Sequence, residues 1–418
     1  MSRRLTMLTL VLATSVAAAQ AAPLCQIDTL AAGSGKIGEW IDKNNWLSVE
    51  YQRVTLQAAE KFMPAQRLRP AAASEALRPA GRPLEINRIE ATDPLDGGRR
   101  DLAFLLDSRL YADGVLVLHN GRVSAERYRN GLRPSEPRLL LQATRPWLSL
   151  LGAISIGRGK LETDRAVTRS IPALNSQAGL RKLSIQRLVQ GQETHSWSAE
   201  ELEQWRRAAG WASSPPPEVG VRAWLSQPGR WERPLVEQDA PAFTASPDDD
   251  LLAWLLAESN ATPLGRLFCE QLLTRSRPEH PVLWLTDGRG VELADGLALS
   301  LRDFARLGQL LLEARVSRSR SRIPGWFIET LTASSATRSP DLAGLPKGSE
   351  QRYGFTHLGG KANRVAIIGR HGTSLYVDFD RRLVIALYAT YPKTGTPTLL
   401  ATLEQLWKAV DQTLSQPR

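Results

Sequence analysis

The stretch Gly114-Val-Leu-Val-Leu-His-Asn-Gly-Arg-Val-Ser-Ala-Glu-Arg-Tyr128 reads as a β-hairpin. Val115 to Leu118 form an apolar strand, and the return from Arg122 alternates polar and apolar side chains. Between them, Asn120-Gly121 is the dipeptide that tolerates positive φ at both central positions of a tight hairpin turn. Working outward, residues 147–161 are apolar over a length that suits a helix. Ser300-Leu-Arg-Asp303 is a helix-start signal, followed by apolar positions through Leu312. Toward the C-terminus, residues 366–380 read as strand, residues 382–390 as its antiparallel partner, and residues 398–413 as an amphipathic helix. Strands at both ends with helices between them predict an α+β fold. It has one antiparallel sheet of about five strands flanked by helices, and a helical second lobe. No period of 20–50 residues is present, which excludes solenoids and propellers.

The 418 residues suit one large domain or two intimate lobes, and 42 % hydrophobic residues exclude a disordered chain. Residues 1–21 carry Arg3 and Arg4, an uncharged apolar run and then Ala19-Gln20-Ala21, the pattern of a cleavable signal peptide. The expected location is therefore the periplasm or the medium. No later apolar run reaches 18 residues, so no transmembrane segment is expected. In an oxidising compartment Cys25 and Cys269 either pair or remain free thiols, and the sequence leaves both open. Residues 22–100 read as an N-terminal extension whose Pro-, Ala- and Arg-rich part, residues 64–83, is a linker or surface wrap. Residues 101–418 form the main domain, with the helical lobe inserted over roughly 162–300. The net charge of +10 makes a basic surface, and Arg315-Val-Ser-Arg-Ser-Arg-Ser-Arg322 reads as a solvated loop. Nucleic acid is a poor partner for an exported chain. The histidines lack metal-ligand spacing, so neither a metal nor another cofactor is expected.

Several segments in this order carry a resemblance. They are the hairpin, the helix closing on Gly159-Lys160-Leu161, Trp284-Leu-Thr-Asp-Gly-Arg-Gly-Val-Glu-Leu-Ala294, Leu301-Arg-Asp-Phe-Ala-Arg-Leu-Gly308, and the last strands with Arg370-His371-Gly372. Together they resemble the serine β-lactamase and penicillin-recognising superfamily, nearest the class C-like esterases and 6-aminohexanoate-dimer hydrolases. The resemblance spans residues 103–410. It implies a β-lactamase/transpeptidase-like fold and three motifs: Ser-x-x-Lys with the nucleophile, Tyr-x-Asn or Tyr-Ser-Ser with a phenolic base, and Lys/His-Thr/Ser-Gly. A serine hydroxyl is a poor nucleophile until a neighbouring base takes its proton, so the groups must meet in one cleft.

The corresponding positions depart from that chemistry. Gln142 stands for the serine and Arg145 for the lysine. Glutamine offers no nucleophilic oxygen, and arginine stays protonated, so it cannot accept a proton. Thr244 stands for the tyrosine, and only His371-Gly372-Thr373 keeps the look of the third motif. Thr144 and Ser149 are fallback nucleophiles. Asp248-Asp249-Asp250 read as acids at a helix N-terminus. The expectation is a catalytically degenerate protein that holds a peptide or cell-wall-related molecule in the former cleft. An active ester or amide hydrolase with a non-standard nucleophile stays open, and so does a structural envelope protein. The oligomeric state is not legible.

Overall fold

The computed structural model describes residues 23–191, 193–213, 220–237, 245–317, 321–333, 342–360 and 363–416. The expected signal peptide and Thr244 lie outside them. In chain order the principal strands begin with β1 (Cys25–Leu30), β2 (Ala65–Pro70), β3 (Ala112–His119), β4 (Arg122–Tyr128) and β5 (Arg138–Leu139). They continue with β6 (Val282–Thr286), β7 (Glu292–Leu299), β8 (Glu350–Arg352) and β9 (Phe355–His357). The last are β10 (Arg364–Ile368), β11 (Ser374–Asp378) and β12 (Leu383–Ala389). One sheet has the order β8-β9-β10-β11-β12-β3-β4 and another the order β1-β2-β6-β7-β5. Both are antiparallel throughout.

The large sheet unites the two ends of the chain because β12 pairs with β3, setting Leu387 opposite Val115 and Ile385 opposite Val117. Asn120 and Gly121, at φ 52° and 74°, turn β3 into β4 as the hairpin reading requires. Successive side chains of β3 and β12 enter different cores, which is why both strands are apolar without a break. Leu116, Leu118, Val384 and Tyr388 face the helix Leu301–Val316, and Phe304 stacks on Tyr388 at 5.7 Å. Val117, Ile385 and Leu387 face the helix Pro397–Ser415, where Trp407 stacks on Tyr376 of β11 at 5.1 Å. Fully burying one such side chain contributes about 1.5–3 kcal/mol. Ser300 caps the first of these helices by accepting from Asp303 N, at the predicted start.

The five longer strands, β10 to β12 with β3 and β4, are the predicted sheet, extended to seven by the short β8 and β9. Three local expectations need correction. Residues 366–380 are two strands, with a turn at residues 369–373 that places His371 between strands. Within the expected linker, Ala65–Pro70 is an inner strand of the smaller sheet. Its Pro/Arg-rich composition masks the fact that Ala65 and Leu68 are buried in the core. That smaller sheet was itself not foreseen, and the helices of the second lobe pack against it. Cys25 of β1 is joined to Cys269 by a disulfide, tying the start of the described chain to a helix of that lobe.

Candidate functional site

Leu140 N donates to Leu297 O at 2.9 Å, which pins the chain to β7 as it enters a short 3-10 turn, Leu141–Thr144. The helix α1 (Arg145–Gly157) follows directly. Gln142 is only 6 % exposed, and its Nε2 donates to Asp295 Oδ2 of β7 at 2.9 Å. The turn after β10 packs on this 3-10 turn. A Cβ added to Gly369 would stand 2.9 Å from Ala143 Cβ. In the same turn His371 has φ 60° and is 2 % exposed, and its Nδ1 lies 2.8 Å from Tyr391 O. A carbonyl can only accept, so Nδ1 carries the proton and Nε2 presents a lone pair. Burial, with Arg370 and Arg138 nearby, lowers the His371 pKa to about 4, so the ring is neutral at pH 7.

Arg145 opens α1 and is fully engaged. Its Nε lies 2.7 Å from Asp249 Oδ1, its Nη2 donates to Leu188 O at 2.8 Å, and its Nη1 donates to Ser149 Oγ. Gly191 makes room for the guanidinium: it has φ 66°, and a Cβ there would stand 2.6 Å from Arg145 Nη2. Ser149 Oγ in turn donates to Val189 O at 2.7 Å. The serine proton is thus held by a carbonyl, which is no base, beside a permanent cation. Thr144 is completely buried and its hydroxyl has no partner among the described residues. Neither fallback hydroxyl has a proton acceptor suited to activate it.

The acids Asp248, Asp249 and Asp250 lie in the first turn of α2 (Pro247–Asn260), and Ser246 with Asp249 closes a capping box. Their work extends well beyond the helix end. Asp248 receives Trp197 Nε1 at 2.7 Å and lies 2.5 Å from His195 Nδ1, while Asp249 holds Arg145. Asp250 accepts from Ala294 N at 2.7 Å and Trp205 Nε1 at 2.8 Å. Burial pushes Asp250 up to about 7, and it raises Asp249 against the pull of Arg145. Asp295 is pushed well above the ordinary carboxylate range by burial first, then by Asp249 and Asp250, with Gln142 and Arg370 opposing.

The structure therefore brings Gln142, Arg145 and the His371 turn to one region, centred on Asp295. Sequence reasoning missed Asp295, Arg370, Gly191 and the pairing role of Asp249. One signal was available: Asp295 interrupts the otherwise apolar run Leu293 to Leu299 after its first two residues. A charge inside a buried strand requires a partner. Six buried atoms here have no hydrogen-bond partner among the described residues: Gln142 Oε1, Thr144 Oγ1, Asp295 Oδ1, Arg370 Nε, His371 Nε2 and Ser374 Oγ. Among the described residues, no group of three or more His, Cys, Asp and Glu could hold a metal ion. None of their helices is long and apolar enough to cross a membrane.

The fold has counterparts of known structure. The chain is similar to a protein from Bacillus anthracis provisionally named a 6-aminohexanoate-dimer hydrolase, with TM-score 0.72 and 18 % identity over 90 % of this chain and 98 % of that one. It is also similar to the octameric penicillin-binding protein homologue from Pyrococcus abyssi, with TM-score 0.53 and 14 % identity over 73 % of this chain and 76 % of the other. The fold is that of the serine β-lactamase and penicillin-recognising superfamily. In sequence, the chain is 24 % identical over 294 residues to the 6-aminohexanoate-dimer hydrolase of Paenarthrobacter ureafaciens, covering 68 % of this chain and 74 % of that protein. No family model matches.

Proposed function

We propose that this chain is an exported, catalytically degenerate relative of the serine hydrolases that binds a ligand in the former active-site cleft. One observation carries the reading: both positions that would hold nucleophile and base are committed to structural carboxylates, Gln142 to Asp295 and Arg145 to Asp249. The ligand-binding part is supported by the six unpartnered polar atoms around Asp295 and the His371 turn. Buried polar groups are normally satisfied, so such a cluster invites a polar guest. A neutral His371 acceptor, two hydroxyls and the Arg370 donor suit a molecule carrying both donors and acceptors, such as a peptide or cell-wall fragment. Export rests on the signal-like residues 1–21.

The reading is tested by treating purified protein with a fluorophosphonate and with a fluorescent penicillin, then locating any adduct by mass spectrometry. No adduct is expected, and nitrophenyl esters should not turn over. Gln142→Ser alone should also stay inactive, because Arg145 cannot take the proton and active-site groups act as a unit. An adduct on Thr144 or Ser149, or wild-type turnover lost in Thr144→Ala, would establish an active hydrolase instead. N-terminal sequencing of periplasmic protein should begin near Ala22, and an intact Met1 there would count against export.

A further inference from the structure

Away from the Asp295 cluster, a groove of about 560 Å³ runs between the 75–78 segment, the 271–277 turn and one face of the helix Leu301–Val316. Five arginines line it: Arg78, Arg275, Arg277, Arg306 and Arg322; only two carboxylates do, Glu75 and Glu313. Two of the arginines are paired with carboxylates of the chain. Arg277 pairs with Glu75 at 2.8 Å, and Arg306, 8 % exposed, pairs with Glu279 at 2.8 Å. The other three are not. Arg322 donates to Glu270 O and to Gln271 Oε1, both at 3.0 Å, and these acceptors are uncharged. Arg78 and Arg275 have no side-chain hydrogen bond or ion pair among the described residues. In the lining itself, Arg306 Nε, 3.7 Å from Asp303 Oδ1, and Gln309 Oε1 are buried without a hydrogen-bond partner among the described residues.

We infer that this groove is a second binding site, for a ligand carrying a phosphate monoester or pyrophosphate group. Gathering like charges is unfavourable unless something compensates them, and an anion between Arg275 and Arg322 does so. Burial first, then Arg275 and Arg158, disfavour the charged form of Arg322, with Glu270 opposing. The planar guanidinium fork matches phosphate oxygens two at a time, which separates this groove from a patch of lysines. Of the Arg-rich run expected as a solvated loop, the two described arginines differ. Arg322 turns into the groove, whereas Arg315 lies over Phe379 and donates to Asn363. This site shares no residue with the cleft, so it stands or falls independently of the proposed function.

The test is calorimetric titration of the full chain with inorganic pyrophosphate, alongside sedimentation with phosphatidic acid vesicles and phosphatidylcholine controls. Saturable binding is expected in at least one of the two phosphate arms, and the arm that binds tells a soluble ligand from a lipid headgroup. Arg275→Ala and Arg322→Ala should each weaken it about tenfold, the value of one charge-assisted contact. Arg275 has no other described partner, so that variant should fold normally, and Arg181→Ala, outside the groove, should bind like wild type. Binding in neither phosphate arm, or binding unchanged in both groove variants, would overturn the inference.

Discussion

Asp113→Ala is expected to lower the unfolding free energy by about 3–5 kcal/mol, the cost of stranding a buried charge. Asp113 on β3 and Arg138 on β5 are both fully buried and 2.6 Å apart, and Arg138 Nη2 also donates to Ala389 O of β12 at 2.7 Å. The pair therefore bolts the large sheet to the small one, just before the turn that carries Gln142. Without Asp113 the guanidinium keeps one carbonyl and the face of Tyr388, and has no counter-ion within the core. The two halves of the pair are not equivalent. Asp113 also accepts from Asn130 at 2.9 Å, Thr390 at 3.2 Å and the partly exposed Arg53 at 2.8 Å. Arg138→Met should therefore cost less than Asp113→Ala, because the stranded carboxylate retains three donors whereas the stranded guanidinium retains one acceptor. Urea unfolding of the two variants decides the matter. Equal losses, or a loss under about 1 kcal/mol for Asp113→Ala, would mean that water reaches the pair.

Which parts of this molecule can be read from sequence follows from how local their causes are. The Asn120-Gly121 hairpin and the Ser300 cap are decided within a few residues, and both stand where the residue pattern puts them. The strand Ala65–Pro70 is hidden because its place depends on β1 and β6, one preceding it and the other more than 200 residues later. The turn at His371 is hidden for a different reason. Apolar residues continue on both sides of it, and a break after Gly369 shows only in the backbone. At the candidate site, the resemblance pointed to Gln142 and Arg145 but not to their partners. Asp249 looked like a helix-end acid because adjacent acids do favour a helix N-terminus, and it is one. That it also grips Arg145 needs the spatial approach of two helices, which no spacing encodes. Composition likewise could not separate Arg315 from Arg322, one lying on an aromatic ring and the other lining a groove.

Asp295→Asn is expected to flatten the fall in stability that the wild type shows as pH rises above about 4. Asp295 Oδ2 accepts from Gln142, so the proton of the neutral acid resides on Oδ1, the oxygen without a partner. An asparagine reproduces that form, its carbonyl facing Gln142 and its amide replacing the protonated oxygen. The folded pKa is raised far above the unfolded value near 3.9, so at higher pH the folded state binds the extra proton. Stability is then fully present below about pH 4 and is lost as pH rises toward the folded pKa, by about 1.4 kcal/mol per pH unit for one proton. Asp250 adds a loss of the same sign, ending near pH 7. His371 acts oppositely. Its pKa is lowered to about 4, so its contribution is lost as pH falls from about 6.5 through that value, and the two effects offset each other in mild acid. Above pH 7 the histidine no longer titrates and Asp250 is near the end of its range. Urea unfolding at pH 5, 7 and 9 should thus show a wild type that loses stability with rising pH more steeply than Asp295→Asn does. A variant that is less stable at every pH, with the wild-type slope retained, would show that Asp295 is ionised in the fold. Gln142 would then be serving a carboxylate anion, and Arg370 would be the counter-ion that permits it.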